Sequence, residues 1–235
     1  MSGYRILVAD DHEIVRHGLR AMLQAQPAME ICGEAADGRE AVAKALELKP
    51  DLVVLDIGMP NLNGLEATRQ IRTELPATKV LILSLYESEQ MVREVFDAGA
   101  VGYLLKSDAS RHLAKAAETI RNGRIFVTPR FEHLFADGEL RPVAKSSKPP
   151  NLVTLTARER QVIQLLGEGK TTKEVAVSLD MAVKTAETHR AHIMHKLDLH
   201  SITDLVLYAV RNRIVQLPQP LENIVGEEVP NTSAV

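Results

Sequence analysis

A five-stranded parallel α/β sheet wound with helices on both faces, followed by a small unit of four helices, is the fold class this sequence predicts. Three observations predict it. The first half repeats a short apolar run followed by an amphipathic segment, five times in succession, and that alternation makes parallel sheets covered by helices. Residues 151–217 show helical signals only. Between them, residues 129–150 lose both patterns.

The apolar runs are Ile6–Ala9, Met29–Cys32, Leu52–Leu55, Val80–Leu83 and Val101–Leu105. Each has strand length. After the first, Val15, Leu19, Met22 and Leu23 recur on one helical face. The second helix opens on Asp37-Gly38-Arg39-Glu40, a capping-box pattern. Gly99 stops the fourth helix and Asn122-Gly123 the fifth. A compact α/β unit over 1–128 is expected, then a linker over 129–150 marked by Arg141-Pro142 and Ser146-Ser147-Lys148-Pro149-Pro150. The helical unit spans 151–217. The tail from 218 to 235, with Pro218, Pro220 and Pro230, reads as disordered.

In the helical unit, Thr156-Ala157-Arg158-Glu159 is a capping box, and Gly167 and Gly169 end the helix it opens. Thr171-Thr172-Lys173-Glu174 opens a second, short helix, and Asp180-Met181-Ala182 makes a tight turn. A third helix runs from about Val183 to Leu197, and Ser201 caps a fourth. On a wheel of about 100° per residue, Ala186, Ile193 and Leu197 of the third helix fall together, as a core face. Lys184, Thr188, Ala191 and His195 lie opposite, with Glu187 at the edge. A short helix, a turn and a helix with an outward polar stripe make a helix-turn-helix, whose second helix enters the DNA major groove. A small helical protein-interaction domain fits the same pattern.

Composition sets the compartment. No apolar run approaches the roughly 18 residues needed to cross a bilayer, so no membrane segment is expected. Cys32 is the only cysteine, so no internal disulfide forms, which suits a reducing, cytoplasmic setting. The net charge is −3, and residues 151–217 carry nine basic against seven acidic side chains. That balance is too mild to identify a nucleic-acid binder by charge alone.

The chemistry lies at the strand ends. The first run is followed by Asp10 and Asp11, the third by Asp56, the fourth by Ser84 and the fifth by Lys106. In an open parallel sheet these ends share one edge, where ligands bind. Clustered carboxylates repel one another and call for a hard cation, which Mg²⁺ supplies while keeping positions for phosphate oxygens. A carboxylate beside Mg²⁺ attacks phosphorus to form an acyl phosphate. Lys106 neutralises phosphate charge, and Ser84 donates a hydrogen bond to it.

These residues, with Asp56-Ile57-Gly58-Met59-Pro60 and Gly64, resemble the receiver domain of two-component response regulators over about residues 4–124. The resemblance implies a flavodoxin-like fold and Asp56 as phosphoacceptor. It implies Mg²⁺ held by Asp11, Asp56 and the Gly58 carbonyl, with Asp10 acting through water. It also implies Ser84 and Tyr103 as a switch pair. Two positions depart from the pattern: Ser107 stands where many receivers have proline, and the bulky Leu85 follows Ser84.

Leu155-Thr156-Ala157-Arg158-Glu159, Lys173-Glu174-Val175-Ala176 and Val183-Lys184-Thr185-Ala186-Glu187-Thr188-His189 look like the LuxR-type DNA-binding domain. With the receiver, the chain is similar to NarL/FixJ-type response regulators over about residues 4–215. The resemblance implies base contacts from Glu187, Thr188 and Ala191, and backbone contacts with double-stranded DNA from Lys184, Thr185 and Arg190. It implies a sensor histidine kinase as phosphodonor, a homodimer when phosphorylated, and partial masking of the recognition helix beforehand. Ala182 departs from the usual serine cap. The chain is expected to be a phosphoacceptor and not a turnover enzyme, since a hydrolase of the haloacid-dehalogenase type needs a second aspartate where Gly58 stands. A receiver driving a protein-interaction output is the alternative. Gly167-Glu168-Gly169-Lys170-Thr171 is rejected as a phosphate loop because no strand precedes it.

Overall fold

The structure, a computed structural model, describes residues 3–136, 139–140, 155–212 and 214–215. The N-terminal domain alternates β1 (Tyr4–Ala9), α1 (Glu13–Gln24), β2 (Met29–Ala35), α2 (Gly38–Leu48), β3 (Leu52–Asp56), α3 (Gly64–Glu74), β4 (Lys79–Ser84), α4 (Glu89–Asp97), β5 (Gly102–Leu105) and α5 (Ala109–Arg121). All five strand-helix units expected from the periodicity form. The sheet is parallel, in the order β2-β1-β3-β4-β5-β6.

Strand alternation builds two cores. Leu7, Val53 and Leu55 point to one face, where Ala41, Ala45, Ile71 and Val92 of α2, α3 and α4 cover them. Ile6, Val8 and Val54 point to the other, under Leu19 and Leu23 of α1 and Leu113, Ala116 and Ile120 of α5. Residues two apart on a strand share a face, so one sheet needs helices on both sides. Small alanines at the helix contacts let the helices lie close to the sheet. Asp37 caps α2, its side chain accepting from the Arg39 and Glu40 amides. Gly99, with φ +95°, and Gly123, with φ +75°, end α4 and α5 in the left-handed region that glycine adopts without strain.

Two expectations need correction. The sheet has six strands, because β6 (Phe126–Val127) adds parallel to β5. Residues 129–136 are not linker: a 3-10 turn (Pro129–Leu134) and β7 (Phe135–Ala136) follow, and β7 pairs with β8 (Glu139–Leu140). Phe131 and Leu134 are buried in the N-terminal core. The physical reason is the edge that five strands leave open at β5. Unpaired backbone groups there are satisfied by the next stretch of chain able to reach them. Residues 141–150 of the expected linker, and the expected tail at 218–235, lie outside the described residues.

The C-terminal domain comprises α6 (Ala157–Gly167), α7 (Thr172–Ser178), α8 (Val183–Lys196) and α9 (Ile202–Arg211). Both threonine capping boxes form as the sequence predicts. Val162, Ile163, Val175, Ala186, Ile193, Leu205 and Ala209 make its core. Asp180, with φ +48°, makes the turn between α7 and α8.

Candidate functional site

Sheet order places the strand-end residues together. β1 and β3 are neighbours, so Asp10, just beyond β1, stands beside Asp56, the last residue of β3. Lys106, just beyond β5, reaches both: its Nζ lies 2.7 Å from Asp10 Oδ2 and 3.0 Å from Asp56 Oδ2. Asp10 is fully buried and Asp56 is 3% exposed. Asp11 is exposed at the rim, where His12 Nδ1 lies 2.8 Å from its Oδ1. Gly64 permits this geometry, because a Cβ there would lie 2.3 Å from the Asp56 carbonyl oxygen.

The electrostatics are those of a cation site. Burial pushes the Asp56 carboxyl up from 3.8 to about 6, and the Asp10 charge adds to the rise, against opposing pulls from Lys106 and the Gly58 N–H. Burial disfavours the Lys106 ammonium, but the Asp56 and Asp10 charges outweigh it and hold the group above the ordinary lysine range. One ammonium meets the two carboxylates of Asp10 and Asp56, and Asp11 adds a third carboxylate at the rim, so negative charge is left over. Asp10, Asp11 and His12 offer ligand atoms within 4.8 Å of one another. The oxygen-rich donor set and the uncompensated charge fit Mg²⁺.

Ser84 is buried at the end of β4, and its Oγ accepts a hydrogen bond from Tyr86 N at 3.0 Å. Tyr103, fully buried on β5, donates its hydroxyl hydrogen bond to the Tyr86 carbonyl. The expected switch pair is thus joined through the Tyr86 backbone. Leu85 between them is half-exposed. No peptide bond among the described residues is cis, the one before Ser107 included.

On α8 the wheel holds. Ala186 and Ile193 are fully buried. Lys184, Thr185, Glu187, Thr188, Ala191 and His195 are exposed. Lys184 and Glu187 form an exposed pair at 3.5 Å. Arg190 sits lower on the helix, partly buried, with a guanidinium nitrogen 3.4 Å from Thr172 Oγ1. Ala182 precedes α8 with extended backbone and no side-chain cap.

Comparison with known proteins matches both halves. Residues 6–118 match the response regulator receiver domain, and residues 153–209 match the bacterial regulatory proteins of the luxR family. The chain is 39% identical over 214 residues to the transcriptional regulatory protein LiaR of Bacillus subtilis, covering 90% of this chain and 99% of LiaR. It belongs to the LuxR-family response regulators. The oxygen regulatory protein NreC of Staphylococcus epidermidis is 37% identical over 218 residues, at 90% of this chain and 99% of NreC. A LuxR-family two-component response regulator from Aurantimonas sp. SI85-9A1 has a similar solved structure, with 38% identity and a TM-score of 0.54 over 56% of this chain and 94% of that one. RcsB of Salmonella typhimurium shares the fold over 88% of this chain and 98% of its own, at 23% identity and a TM-score of 0.54.

In this response regulator, a receiver domain is joined to a LuxR-type DNA-binding domain, and the two meet on a seam that sequence reading missed. Gln164 of α6 is 1% exposed. Its Oε1 accepts from Asn63 N at 2.9 Å, and its Nε2 donates to the Met59 carbonyl at 3.1 Å and to Glu168 at 2.8 Å. Lys170 donates to Asn61 Oδ1 at 2.7 Å, and Arg160 Nε lies 2.9 Å from Glu66 Oε1. Met59, Asn61 and Asn63 belong to the loop that follows Asp56. The response regulator therefore docks its output domain on the loop beside the candidate phosphoacceptor. Among the described residues the exposed stripe of α8 takes no part in this seam: α6, not α8, faces the receiver there, and the expected masking of the recognition helix is not seen among them. The one local signal was a glutamine set among Val162, Ile163, Leu165 and Leu166, all buried.

Proposed function

We propose that Asp56 accepts a phosphoryl group from a sensor histidine kinase, and that the phosphorylated regulator dimerises on double-stranded DNA read by α8. The observation that carries the first half is Lys106 lying within 3.0 Å of two buried carboxylates at one sheet edge. Asp11, Asp56 and the Gly58 carbonyl would hold Mg²⁺, with Asp10 acting through water. Bound there, Mg²⁺ would offset negative charge on the phosphoryl oxygens. An Asp56 oxygen attacks phosphorus, the phosphorus–nitrogen bond of the donor breaks, and the imidazole leaves with the electron pair. Lys106 holds its ammonium against the phosphoryl oxygens, and Ser84 donates a hydrogen bond to one of them. Gly58 stands where a hydrolase of the haloacid-dehalogenase type has its acid/base aspartate, which supports a phosphoacceptor over a turnover enzyme.

In the output domain, Glu187, Thr188 and Ala191 are placed to meet bases, and Lys184, Thr185 and Arg190 to meet the DNA backbone. A domain with nine basic against seven acidic side chains makes few phosphate contacts alone, and pairing two copies on one DNA raises effective concentration without new contacts. Among the described residues no helix is long and apolar enough to cross a membrane, in keeping with a cytoplasmic regulator. The test is labelling with a small phosphodonor and Mg²⁺. The wild-type chain is expected to carry one base-labile label and Asp56→Asn none, while Asp11→Ala labels slowly and needs more Mg²⁺. Stoichiometric labelling of Asp56→Asn would reject the assignment.

A further inference from the structure

Beside the Gln164 seam a cleft of about 430 Å³ runs between the two domains. Leu65, Glu66 and Arg69 of α3, with Met91 and Glu94 of α4, form its receiver wall. Leu155, Arg160 of α6, Tyr208 and Arg211 of α9, and Ile214 beyond it form the wall of the output domain. The size falls within the roughly 300–1,000 Å³ of clefts that take ligands. The lining joins apolar side chains to charge. Glu66 is 1% exposed, and its Oε1 accepts from Arg69 and lies 2.9 Å from Arg160 Nε. One carboxylate thus meets two guanidiniums. Arg211 adds a third guanidinium and Glu94 a second carboxylate, so the lining is positive by one.

The chain leaves the output domain at this cleft. After α9 the backbone folds back, with Ile214 N and Val215 N both donating to the Ala209 carbonyl, at 2.8 and 3.3 Å. Val215 packs on Gly167, where a Cβ would lie 2.8 Å from its Cγ2. Ile214 is thereby fixed in the cleft wall, and two residues later comes Gln216. Residues 216–235 lie outside the described residues and beyond the match to the luxR family, which ends at residue 209. They carry Glu222, Glu227 and Glu228 and no lysine or arginine. Leu221, Ile224 and Val225 stand around the first of these acids. So short a stretch buries too little apolar surface to fold by itself, and any order it gains comes from another surface.

We propose that residues 221–228 seat in this cleft and latch the two domains of the same chain together. Leu221, Ile224 and Val225 cover the apolar side chains of Leu65, Met91, Leu155 and Tyr208. Glu222, Glu227 and Glu228 bring negative charge to a lining that is positive. Six residues carry the chain from Val215 to Leu221 and span up to about 20 Å, so the segment reaches either wall. Tethered at α9, it meets the cleft at the high effective concentration of a short linker. An occupant that touches α3 and α4 on one side and α6 and α9 on the other binds only while the domains are docked, and by linkage it holds them docked. The latch does not rest on Asp56 as phosphoacceptor.

The experiment compares full-length chains without phosphodonor, by hydrogen exchange read by mass spectrometry. Leu221→Ser/Ile224→Ser is expected to speed exchange of residues 63–69, in the other domain, about fivefold or more, the scale of losing two apolar contacts. Glu222→Gln/Glu227→Gln/Glu228→Gln is expected to speed it about twofold, the scale of exposed ion pairs, and to remove the acceleration that added salt causes in the wild type. Arg211 is exposed, so its replacement spares the core. Arg211→Glu is expected to act like the glutamine variant and to add little when combined with it, because the two remove one interaction. Wild-type protection at 63–69 is expected not to vary with protein concentration. Unchanged exchange at 63–69 in the Leu221/Ile224 variant overturns the latch. Protection that grows with concentration also overturns it, since the occupant would then be the tail of a second copy. Faster exchange confined to residues 184–195 overturns it too, by placing the acidic segment on α8.

Discussion

At the scale of single residues, the site is held in tension. Asp56 is kept as a buried carboxylate although burial and Asp10 both oppose its charge. The consequence for stability has a definite sign. In the unfolded chain the group titrates near 3.8, and in the folded chain near 6. Below the lower value the carboxyl is neutral in both states and carries no penalty. As pH rises from about 4 to 6 the unfolded chain releases its proton while the folded carboxyl keeps it, so the penalty grows, and above 6 it is fully present. Asp56→Asn is therefore expected to be more stable than wild type at pH 7.5 without Mg²⁺, by up to about 3 kcal/mol, and no more stable at pH 4. Urea unfolding at the two pH values measures this. Equal stability at pH 7.5 would mean that Lys106 already compensates the charge. Adding Mg²⁺ is expected to stabilise the wild type and to leave Asp56→Asn nearly unchanged.

Among the elements, α8 joins a core seam to an outward stripe with one weak end. Thr156, Thr171 and Ser201 cap their helices, whereas Ala182 leaves the first amides of α8 without a side-chain partner. Restoring an oxygen there by Ala182→Ser is expected to stabilise the DNA-binding domain by about 1 kcal/mol, read as a higher denaturant midpoint and slower exchange in α8. The stripe itself divides into two roles. Glu187→Ala is expected to change which sequences bind, by about 1–3 kcal/mol at the affected base pair. Lys184→Ala is expected to weaken all sequences alike and lower the salt slope by about one. Selection from random DNA and a salt titration separate the two. A change of preference in Lys184→Ala with none in Glu187→Ala would mean that α8 enters the groove on another face.

In the whole molecule, the seam sets how the halves communicate. Gln164 accepts one hydrogen bond from the loop after Asp56 and donates one to it. Removing it leaves Asn63 N–H and the Met59 carbonyl without this partner, and a buried group left so costs about 1–3 kcal/mol. Gln164→Ala is expected to open the seam, seen as faster hydrogen exchange at 57–63 and a larger radius of gyration. Because the α8 stripe is already exposed, half-site affinity of the unphosphorylated variant is expected to stay within about twofold of wild type, well under 1 kcal/mol. A large gain in that affinity would show that docking, and not the lack of a dimer, limits DNA binding.

Much of this was legible in local patterns. Alternating apolar runs, helix caps and the polar residue closing each run determined the α/β wind, the four output helices and the grouping of Asp10, Asp11, Asp56, Ser84 and Lys106. Each signal is carried by residues close in sequence, and parallel topology alone brings strand ends to one edge. The outward face of α8 followed from helical period for the same reason. Three things came only with the tertiary structure. β6 is two residues long, too short to show a period, and exists because β5 leaves an edge to be paired. The arm at 129–136 looked like linker, since its burial depends on a surface that α4 and β5 build together. The Gln164 seam joins a side chain to backbone about a hundred residues away. Backbone amides and carbonyls are the same in every sequence, so nothing local could announce which ones that glutamine would meet.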